Sequence, residues 1–264
     1  MAEDGLLVRL RLVGGRVSTA ALTSLIGIAE EFGDGRIHLT SRANLQVRGF
    51  PGHDGRLDAA AVEALESTGL LPTRTHELVR NIMVSPQSGL AGGRADLRAI
   101  AQAFDQLLCA TPVLASLPGR FLFVFDDGRG DLLDRSCDLG FVALDADAAQ
   151  LRVGAAWGEV VALADAPRRL IELASTFVDM RGSDITAPWH IAELAAPLTA
   201  PVAADPRLPG PIALLSFGDV PGGHHLAIPD GLNADTITAL AAQASEVIVT
   251  PWRGVLIPQE GSHD

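Results

Sequence analysis

The sequence predicts a mixed α+β fold in which two similar half-units pair into one sheet, with a further α+β segment inserted between them. Two observations lead to this prediction. A hairpin-like stretch, Gly33–Phe50, has two short alternating runs on either side of a polar corner, and a weaker copy recurs at Val247–Gln259. Each half-unit would leave a sheet edge bare by itself, so the two halves are expected to pair with each other.

The first half-unit has the order strand, helix, strand, strand, helix. Leu6–Val13 alternates as a strand, and Ser18 is placed to cap a helix that runs to Phe32. After the hairpin, Asp58 is placed to cap a second helix that runs to Thr68. This order makes half of a small α+β domain.

The middle of the chain predicts a separate α+β layer. Apolar residues recur at helical spacing over Arg94–Thr111, and a second helix is predicted from Pro167 to Met180. Strand-like runs include Leu117–Gly128 and Gln150–Gly158. The five prolines between positions 195 and 211 then predict a linker, or a strap laid over the surface.

The second half-unit repeats the order of the first. Its predicted elements are two strands, Ile212–Phe217 and His225–Pro229, a helix from Asn233 to Ala244, and a hairpin of Glu246–Thr250 with Arg253–Ile257. Thr40 and Thr250 stand at corresponding places, immediately before the two polar corners. A repeat of this kind indicates two half-units with an insertion between them.

Composition narrows the possible functions. The formal net charge of −12 disfavours a general nucleic-acid partner, which needs a basic surface. No run of about 18 apolar residues is present, so no membrane partner is expected. The acidic start of the chain does not have the features of a secretory signal, which predicts a cytoplasmic location. All 20 Lys-plus-Arg residues are arginine, which excludes lysine Schiff-base chemistry.

Alternation along the second run of the first hairpin gives the strongest functional signal. In a strand, Asn44, Gln46 and Arg48 would share one face, while Leu45 and Val47 would point toward a core. Guanidinium and amide groups on one face suit a flat, multiply charged anion.

Other arginines share this setting, because each lies in an apolar run next to Gly or Pro. The candidate anion-binding residues are therefore Arg42, Asn44, Gln46, Arg48, Arg80, Asn81, Arg120 and Arg253. The alternative for each arginine is a structural ion pair with one of the 32 Asp and Glu residues.

Three further features carry no predicted chemistry. His224 and His225 lie in a Gly-flanked stretch and are interpreted as an exposed turn. The acidic stretch Asp126–Asp134 lacks calcium-loop spacing and is interpreted as a solvated turn, so no metal site is predicted. Cys109 and Cys137 have no zinc spacing and are interpreted as buried small hydrophobes.

Four motifs taken together resemble the nitrite/sulfite reductase superfamily, and most of all its precorrin-3B synthase branch in cobalamin biosynthesis. They are HLTSRANLQVRG, VRNIMVSP, LPGRFLFVFDDG and VTPWRGV, in that order along the chain. The resemblance implies a ferredoxin-like half-domain at residues 1–71 and a nitrite/sulfite reductase-type α+β domain at 72–194. The Pro-rich linker at 195–211 and a second ferredoxin-like half-domain at 212–264 would follow.

The resemblance also implies a ligand, either sirohaem or a precorrin substrate. In the family, residues at the positions of Arg42, Arg80 and Arg120 surround tetrapyrrole carboxylates and a bound anion. Leu122 stands where the reductases have a second basic residue, which favours the precorrin branch. That branch carries out oxygen-dependent hydroxylation and lactone formation on precorrin-3A with redox-active iron.

The family's [4Fe–4S] cluster is held by four cysteines in a late domain, and the two cysteines of this chain do not fit that pattern. We therefore expect this chain to lack the C-terminal iron–sulfur domain, and the cluster to be present only if a separate domain or polypeptide supplies it. The alternatives are a nitrite/sulfite reductase-like protein and a non-catalytic tetrapyrrole-binding or assembly module that has lost its redox domain.

Overall fold

The computed structural model describes residues 5–259 and has a mixed α+β fold, which confirms the predicted fold class. The chain divides into two compact units. The first consists of Met1–Glu77 with Ser216–Asp264, and the second of Leu78–Leu215. Met1–Asp4, part of the acidic start from which the absence of a signal was predicted, lie outside the described residues. Within the described residues no helix is long and apolar enough to span a bilayer.

The elements are numbered in chain order. The helices are α1 (Thr19–Phe32), α2 (Ala59–Ser67), α3 (Arg98–Ala110), α4 (Ala166–Arg181) and α5 (Ala234–Ala241). Short 3-10 helices cover Pro112–Ser116, Leu163–Asp165 and Ile191–Glu193. The strands are β1 (Leu6–Leu10), β2 (Arg16–Ser18), β3 (His38–Leu39), β4 (Leu45–Phe50), β5 (Gly52–His53), β6 (Arg56–Leu57), β7 (Ile82–Val84), β8 (Phe123–Asp126), β9 (Leu139–Ala143), β10 (Ala148–Val153), β11 (Ala156–Ala162), β12 (Gly218–Val220), β13 (Gly223–Ala227), β14 (Glu246–Thr250) and β15 (Gly254–Pro258).

Side-chain caps begin the helices that the two half-units contribute. The Ser18 hydroxyl accepts a hydrogen bond from the Ala21 amide at the start of α1, and Asn233 accepts from the Thr236 amide at the start of α5. Asp58 stands at the cap position of α2 but makes no side-chain cap bond. The two caps satisfy amides that would otherwise lack a partner in the first helical turn.

The first unit contains a three-stranded sheet in the order β1-β4-β3 and a five-stranded sheet in the order β12-β13-β15-β14-β2. β2 of the first half pairs antiparallel with β14 of the second half, with Val17 opposite Val247. The amide of Val249 also donates to the Gly15 carbonyl. The two halves therefore pair as predicted, although their strands form two hydrogen-bonded sheets and not a single one.

The second unit has a five-stranded sheet in the order β11-β10-β9-β8-β7. β7, β8 and β9 run parallel, while β9, β10 and β11 are joined antiparallel. A group of fully buried phenylalanines, packed ring against ring, lies in its core: Phe104, Phe121, Phe123, Phe125, Phe141 and Phe177. This apolar core makes the unit compact by itself.

Two local predictions are wrong. Ile212–Phe217 is irregular, and its strand neighbour β12 begins only at Gly218. The alternating Ile212 and Leu214 side chains are exposed, so no sheet uses the pattern that suggested a strand. The run Gln150–Gly158 forms parts of two strands, because Gly154 adopts a positive φ of 60° and turns the chain between β10 and β11.

Candidate functional site

The first unit has a cleft of ≈ 470 Å³ that both half-units line. This volume falls in the range of small-molecule sites, roughly 300–1,000 Å³. Strands, corners and loops of both halves contribute the lining residues, which are Arg9, His38, Leu39, Thr40, Ser41, Gln46, Arg48, Ile228, Pro229, Asp230, Gly231 and Arg253.

The cleft has a basic lining although the whole chain is acidic. Arg9, Arg48 and Arg253 are exposed arginines of its wall, and Asp230 is the one carboxylate among the lining residues within the described chain. One Nη of Arg9 lies 3.4 Å from Oε1 of Gln46, which holds the two side chains together. Several guanidinium groups around one cleft favour a ligand with more than one carboxylate, since each can form bidentate bonds.

Strand register explains why these side chains meet. Leu45 and Val47 of β4 are fully buried, while Gln46 and Arg48, which alternate with them, line the cleft. This is the alternation that the sequence predicts. Arg9 of β1 pairs directly with Gln46 and therefore lies on the same face. Arg9 was missed, although Leu6–Val13 has the same period-2 pattern and its pairing with β4 would have identified this residue.

His38 is a second lining residue that was not among the predicted candidates. Its Nε2 lies 2.6 Å from Oδ2 of Asp34, and both side chains are partly exposed. The ring is thus oriented by a carboxylate at the edge of the basic cleft. His38 lies in the short strand β3.

The two polar corners have the same backbone structure. In the first corner the amide of Asn44 donates to Oγ1 of Thr40 at 3.1 Å, and in the second the amide of Gly254 donates to Oγ1 of Thr250 at 3.2 Å. Each corner turns through a threonine whose hydroxyl accepts from the residue four positions on. The correspondence between Thr40 and Thr250 is therefore structural as well as sequential.

The residue before that amide has left-handed backbone in both corners. Ala43 has a φ of 56° and Arg253 a φ of 57°. Arg253 therefore occupies the position of Ala43, and Trp252 occupies the position of Arg42. The left-handed conformation costs a non-glycine residue roughly 1–2 kcal/mol, so the surrounding contacts must hold Arg253 in it.

Asn44 and Arg42 lie at the first corner but are not part of the cleft lining that the described residues form. Asn44 is almost fully buried and its Oδ1 accepts from the Leu12 amide at 2.9 Å. Its Nδ2 has no hydrogen-bond partner among the described residues. Asn44 thus joins the corner to the chain beyond β1, while Arg42 is half-exposed.

The remaining candidates belong to the second unit. Arg80 is buried and forms a bidentate ion pair with Asp105, with Nε–Oδ1 2.7 Å and Nη2–Oδ2 3.0 Å. Asn81 is buried as well, and its Nδ2 donates to the carbonyls of Gly119 and Phe121. The guanidinium of Arg120 lies over the Trp189 ring, 5.9 Å from its centroid. For Arg80 the ion-pair alternative is the observed arrangement.

The acidic stretch after β8 is buried, so its interpretation as a solvated turn is wrong. The carboxylate of Asp126 accepts three backbone amides, those of Gly128, Gly130 and Leu132, at 2.9–3.0 Å. Asp127 is paired with the Arg129 guanidinium. These bonds replace water around the carboxylates, which is why an acidic loop can be buried here.

Asp131 completes this group, and it accepts a hydrogen bond of 2.6 Å from the Ser85 hydroxyl. One oxygen from each of Asp126, Asp127 and Asp131 lies within 4.8 Å of the others. Burial, together with the neighbouring Asp126 carboxylate, raises the pKa of Asp131 to about 7. Burial also raises the pKa of Asp126.

His225 likewise corrects the interpretation of its stretch as an exposed turn. Its ring is fully buried, while His224 beside it is partly exposed and lies 2.7 Å from Asp219. The two residues are adjacent in β13, so their side chains point to opposite faces of the sheet.

The cysteines do not form a site for an iron–sulfur cluster. Cys109 is half-buried, and burial raises the pKa of the Cys137 thiol to about 11. A [4Fe–4S] cluster takes four ligands, normally thiolates, and the sequence contains two cysteines. The residues of this chain therefore do not fit the cluster by themselves.

We expect Arg80→Ala to lower the free energy of unfolding by about 3 kcal/mol, because it leaves the largely buried Asp105 carboxylate without its partner. Urea denaturation measures this change. The matched control is Arg98→Ala, whose Asp96 pair is about half exposed and should contribute at most about 1 kcal/mol. Equal effects of the two substitutions would contradict a structural role for the buried pair.

The unfolding free energy should also fall as the pH rises from about 4 toward 7. Asp131 binds its proton more tightly in the folded protein, where its pKa is about 7, than in the unfolded chain, where it is near 3.8. Asp131→Asn keeps an oxygen that can accept from Ser85 and should flatten this dependence. Urea unfolding at several pH values measures it, with the exposed Asp134→Asn as control. An unchanged slope in Asp131→Asn would refute the assignment.

Comparison with known proteins shows similarity to one family model, to curated relatives and to solved structures. Residues 1–61 match the family model described as "Nitrite/Sulfite reductase ferredoxin-like half domain". The chain is 31% identical over 143 residues to ferredoxin–nitrite reductase of Synechococcus elongatus, covering 51% of this chain and 27% of the relative. It is 29% identical over 265 aligned positions to precorrin-3B synthase of Sinorhizobium sp, covering 92% and 52%.

The solved structure of the Mycobacterium tuberculosis NirA protein matches with a TM-score of 0.69 at 19% identity, covering 97% of this chain and 54% of that one. A likeness at this identity establishes the fold. The chain spans about half the length of precorrin-3B synthase and about a quarter of that of the nitrite reductase.

Proposed function

We propose that this member of the nitrite/sulfite reductase superfamily binds a polycarboxylate tetrapyrrole and acts as the tetrapyrrole-binding part of a precorrin-3B synthase-like oxidoreductase of cobalamin biosynthesis. The observation that carries the proposal is the cleft of the first unit, on which Arg9, Arg48 and Arg253 converge. Its volume and its guanidinium groups suit a ligand edge that carries several carboxylates.

The extent of the two alignments supports the precorrin branch. The likeness to precorrin-3B synthase runs along almost the whole chain, whereas the likeness to the nitrite reductase covers about half of it. The substrate of the precorrin branch is itself a macrocycle with many carboxylates. Leu122, at a position that is basic in the reductases, is buried next to β8 and supplies no charge to an anion.

The predicted residues divide into three groups under this proposal. Gln46, Arg48 and Arg253 line the cleft and would contact the ligand directly. Arg42 and Arg120 remain proposed carboxylate partners outside that lining. Asn44, Arg80 and Asn81 are buried, and each is hydrogen-bonded to groups of its own unit.

Two cofactors follow from the superfamily, and they fit this chain differently. Carboxylates of sirohaem or of a precorrin match the arginines of the cleft. A [4Fe–4S] cluster would need cysteines from another domain or polypeptide, and we propose such a partner for the redox step. When bound, the iron groups would supply electron transfer, while this chain holds and orients the macrocycle.

Uroporphyrin, a tetrapyrrole with eight carboxylates, should bind the purified chain, and Arg48→Ala and Arg253→Ala should each weaken binding about tenfold. Each substitution removes charge-assisted hydrogen bonds of roughly 1.5–3 kcal/mol. Absorbance and fluorescence titration at several salt concentrations measures the dissociation constant. Affinity should fall with added salt, because the contacts are ionic.

Arg56→Ala is the matched control, since Arg56 is an exposed arginine of the same unit that does not line the cleft. It should bind uroporphyrin like the unchanged chain. Binding that survives the double substitution of Arg48 and Arg253 at full strength would refute the cleft as the site. A porphyrin with two carboxylates should bind more weakly than uroporphyrin.

Iron and acid-labile sulfide analysis after anaerobic reconstitution tests the proposed division of labour. The isolated chain should hold no stoichiometric cluster, because it has two cysteines and a [4Fe–4S] cluster takes four ligands. A stoichiometric cluster in this chain alone would contradict the proposal and favour a self-contained reductase. Tetrapyrrole binding that no cysteine-bearing partner converts into activity would favour a non-catalytic binding module.

A further inference from the structure

The strongest unassigned feature of the first unit is His225, a fully buried histidine of β13. Both of its ring nitrogens are bonded within the protein. Nδ1 lies 3.0 Å from the Ser216 carbonyl oxygen, and Nε2 lies 2.9 Å from Oγ1 of Thr250. Thr250 is the residue from which the second polar corner turns.

The bonding partners of this histidine assign a proton to Nδ1. A carbonyl oxygen can only accept, so Nδ1 carries the proton that is donated to Ser216. Nε2 lies 2.9 Å from Oγ1 of Thr250, and the same hydroxyl lies 3.3 Å from the Gly254 carbonyl oxygen, a second acceptor for its hydrogen. The hydroxyl oxygen in turn accepts from the Gly254 amide at 3.2 Å. The ring is therefore joined through Thr250 to the hydrogen bonds that form the second corner.

Packing leaves the ring little freedom. Phe217 lies against it with a centroid separation of 4.5 Å, and Trp252 meets it edge-on at 6.2 Å. The ring also fills the space that Gly254 leaves open, since a Cβ at that position would overlap Nε2 and the adjacent carbon. The second corner is thus packed directly against His225.

Arg253 lies between the two corner residues that this histidine holds. Its φ of 57° is left-handed, and its carbonyl accepts from the Ile228 amide at 3.0 Å. In the first corner Asn44 occupies the place of Gly254, and its side chain accepts a hydrogen bond from the Leu12 amide. Different side-chain contacts therefore stabilise the two corners. Those of the second corner hold a cleft arginine in a strained backbone conformation.

We propose that His225, acting through Thr250, is a positioning residue that keeps Arg253 in the left-handed conformation and directs its guanidinium into the cleft. This inference rests on the proposed function, in which Arg253 binds a carboxylate of the tetrapyrrole. His225 itself is buried and does not line the cleft.

The first test is a double-mutant cycle with uroporphyrin as the ligand. His225→Phe keeps a ring of similar shape but removes both nitrogens, so it should weaken binding about tenfold, as Arg253→Ala does. The double variant should bind no more weakly than Arg253→Ala alone, because both changes remove the same contact. Combined with Arg48→Ala, the effect of His225→Phe should multiply.

Substitutions of Thr250, which lies between His225 and the second corner, provide matched variants. Thr250→Val removes the hydroxyl at nearly constant shape and should weaken binding like His225→Phe. Thr250→Ser keeps the hydroxyl and should restore the affinity of the unchanged chain, which a loss of packing alone would not do. Effects of His225→Phe and Arg253→Ala that multiply would overturn the proposal, as would wild-type affinity in Thr250→Val.

A second measurement separates this inference from the proposed function. The backbone coupling constant and carbon chemical shifts of Arg253, in isotope-labelled protein, report its φ without any ligand. Arg253 should leave the left-handed region in His225→Phe and Thr250→Val and keep it in Thr250→Ser. If the unchanged chain does not bind uroporphyrin, the proposed function fails. An unaltered Arg253 φ in His225→Phe overturns the positioning role in either case.

Discussion

The pairing of β2 with β14 is the interaction on which the first unit depends. It joins parts of the chain that are far apart: the hydroxyl of Thr19, the residue that follows β2, donates to the Ala244 carbonyl 225 positions away. Closing so long a loop costs entropy, although this cost grows only slowly with loop length. This cost is offset by the contacts between the paired strands and by a hydrophobic core to which both halves contribute. Without the pairing, Arg253 would not lie in the same cleft as Arg9 and Arg48.

The basic cleft exists in a chain with a formal net charge of −12, and this is consistent because electrostatic fields are local. At physiological ionic strength the Debye length is about 8 Å, so acidic residues elsewhere on the surface are largely screened from the cleft. Three guanidiniums around one small volume then dominate the potential there. Arg80 shows the opposite outcome, since a carboxylate of the same unit satisfies it. Whether an arginine is available to a ligand therefore depends on whether a carboxylate lies next to it.

Local sequence patterns predict the features that depend on neighbouring residues, such as helix caps and the two faces of a strand. Ser18 and Asn233 cap their helices as expected, and the alternation in β4 separates core from cleft residues. The sequence does not predict contacts that only the distant pairing creates. His225 follows two glycines, a signal for a turn, yet it is buried because Thr250 and Trp252 close over it. The acidic stretch was misjudged for a similar reason, since its own amides and Arg129 replace water.

The two corners show how one backbone solution can carry different chemistry. Both use a threonine hydroxyl to accept an amide four residues on, and both place a non-glycine residue in the left-handed region. In the first corner that residue is Ala43, whose small side chain is buried and does not line the cleft. In the second it is Arg253, which is exposed toward the cleft. A long charged side chain on a strained backbone needs additional contacts to stay in place. The buried imidazole of His225, packed against Gly254 and bonded to Thr250, provides them. The two corners therefore have different stabilising contacts because one presents a buried Ala43 and the other presents Arg253 to the cleft.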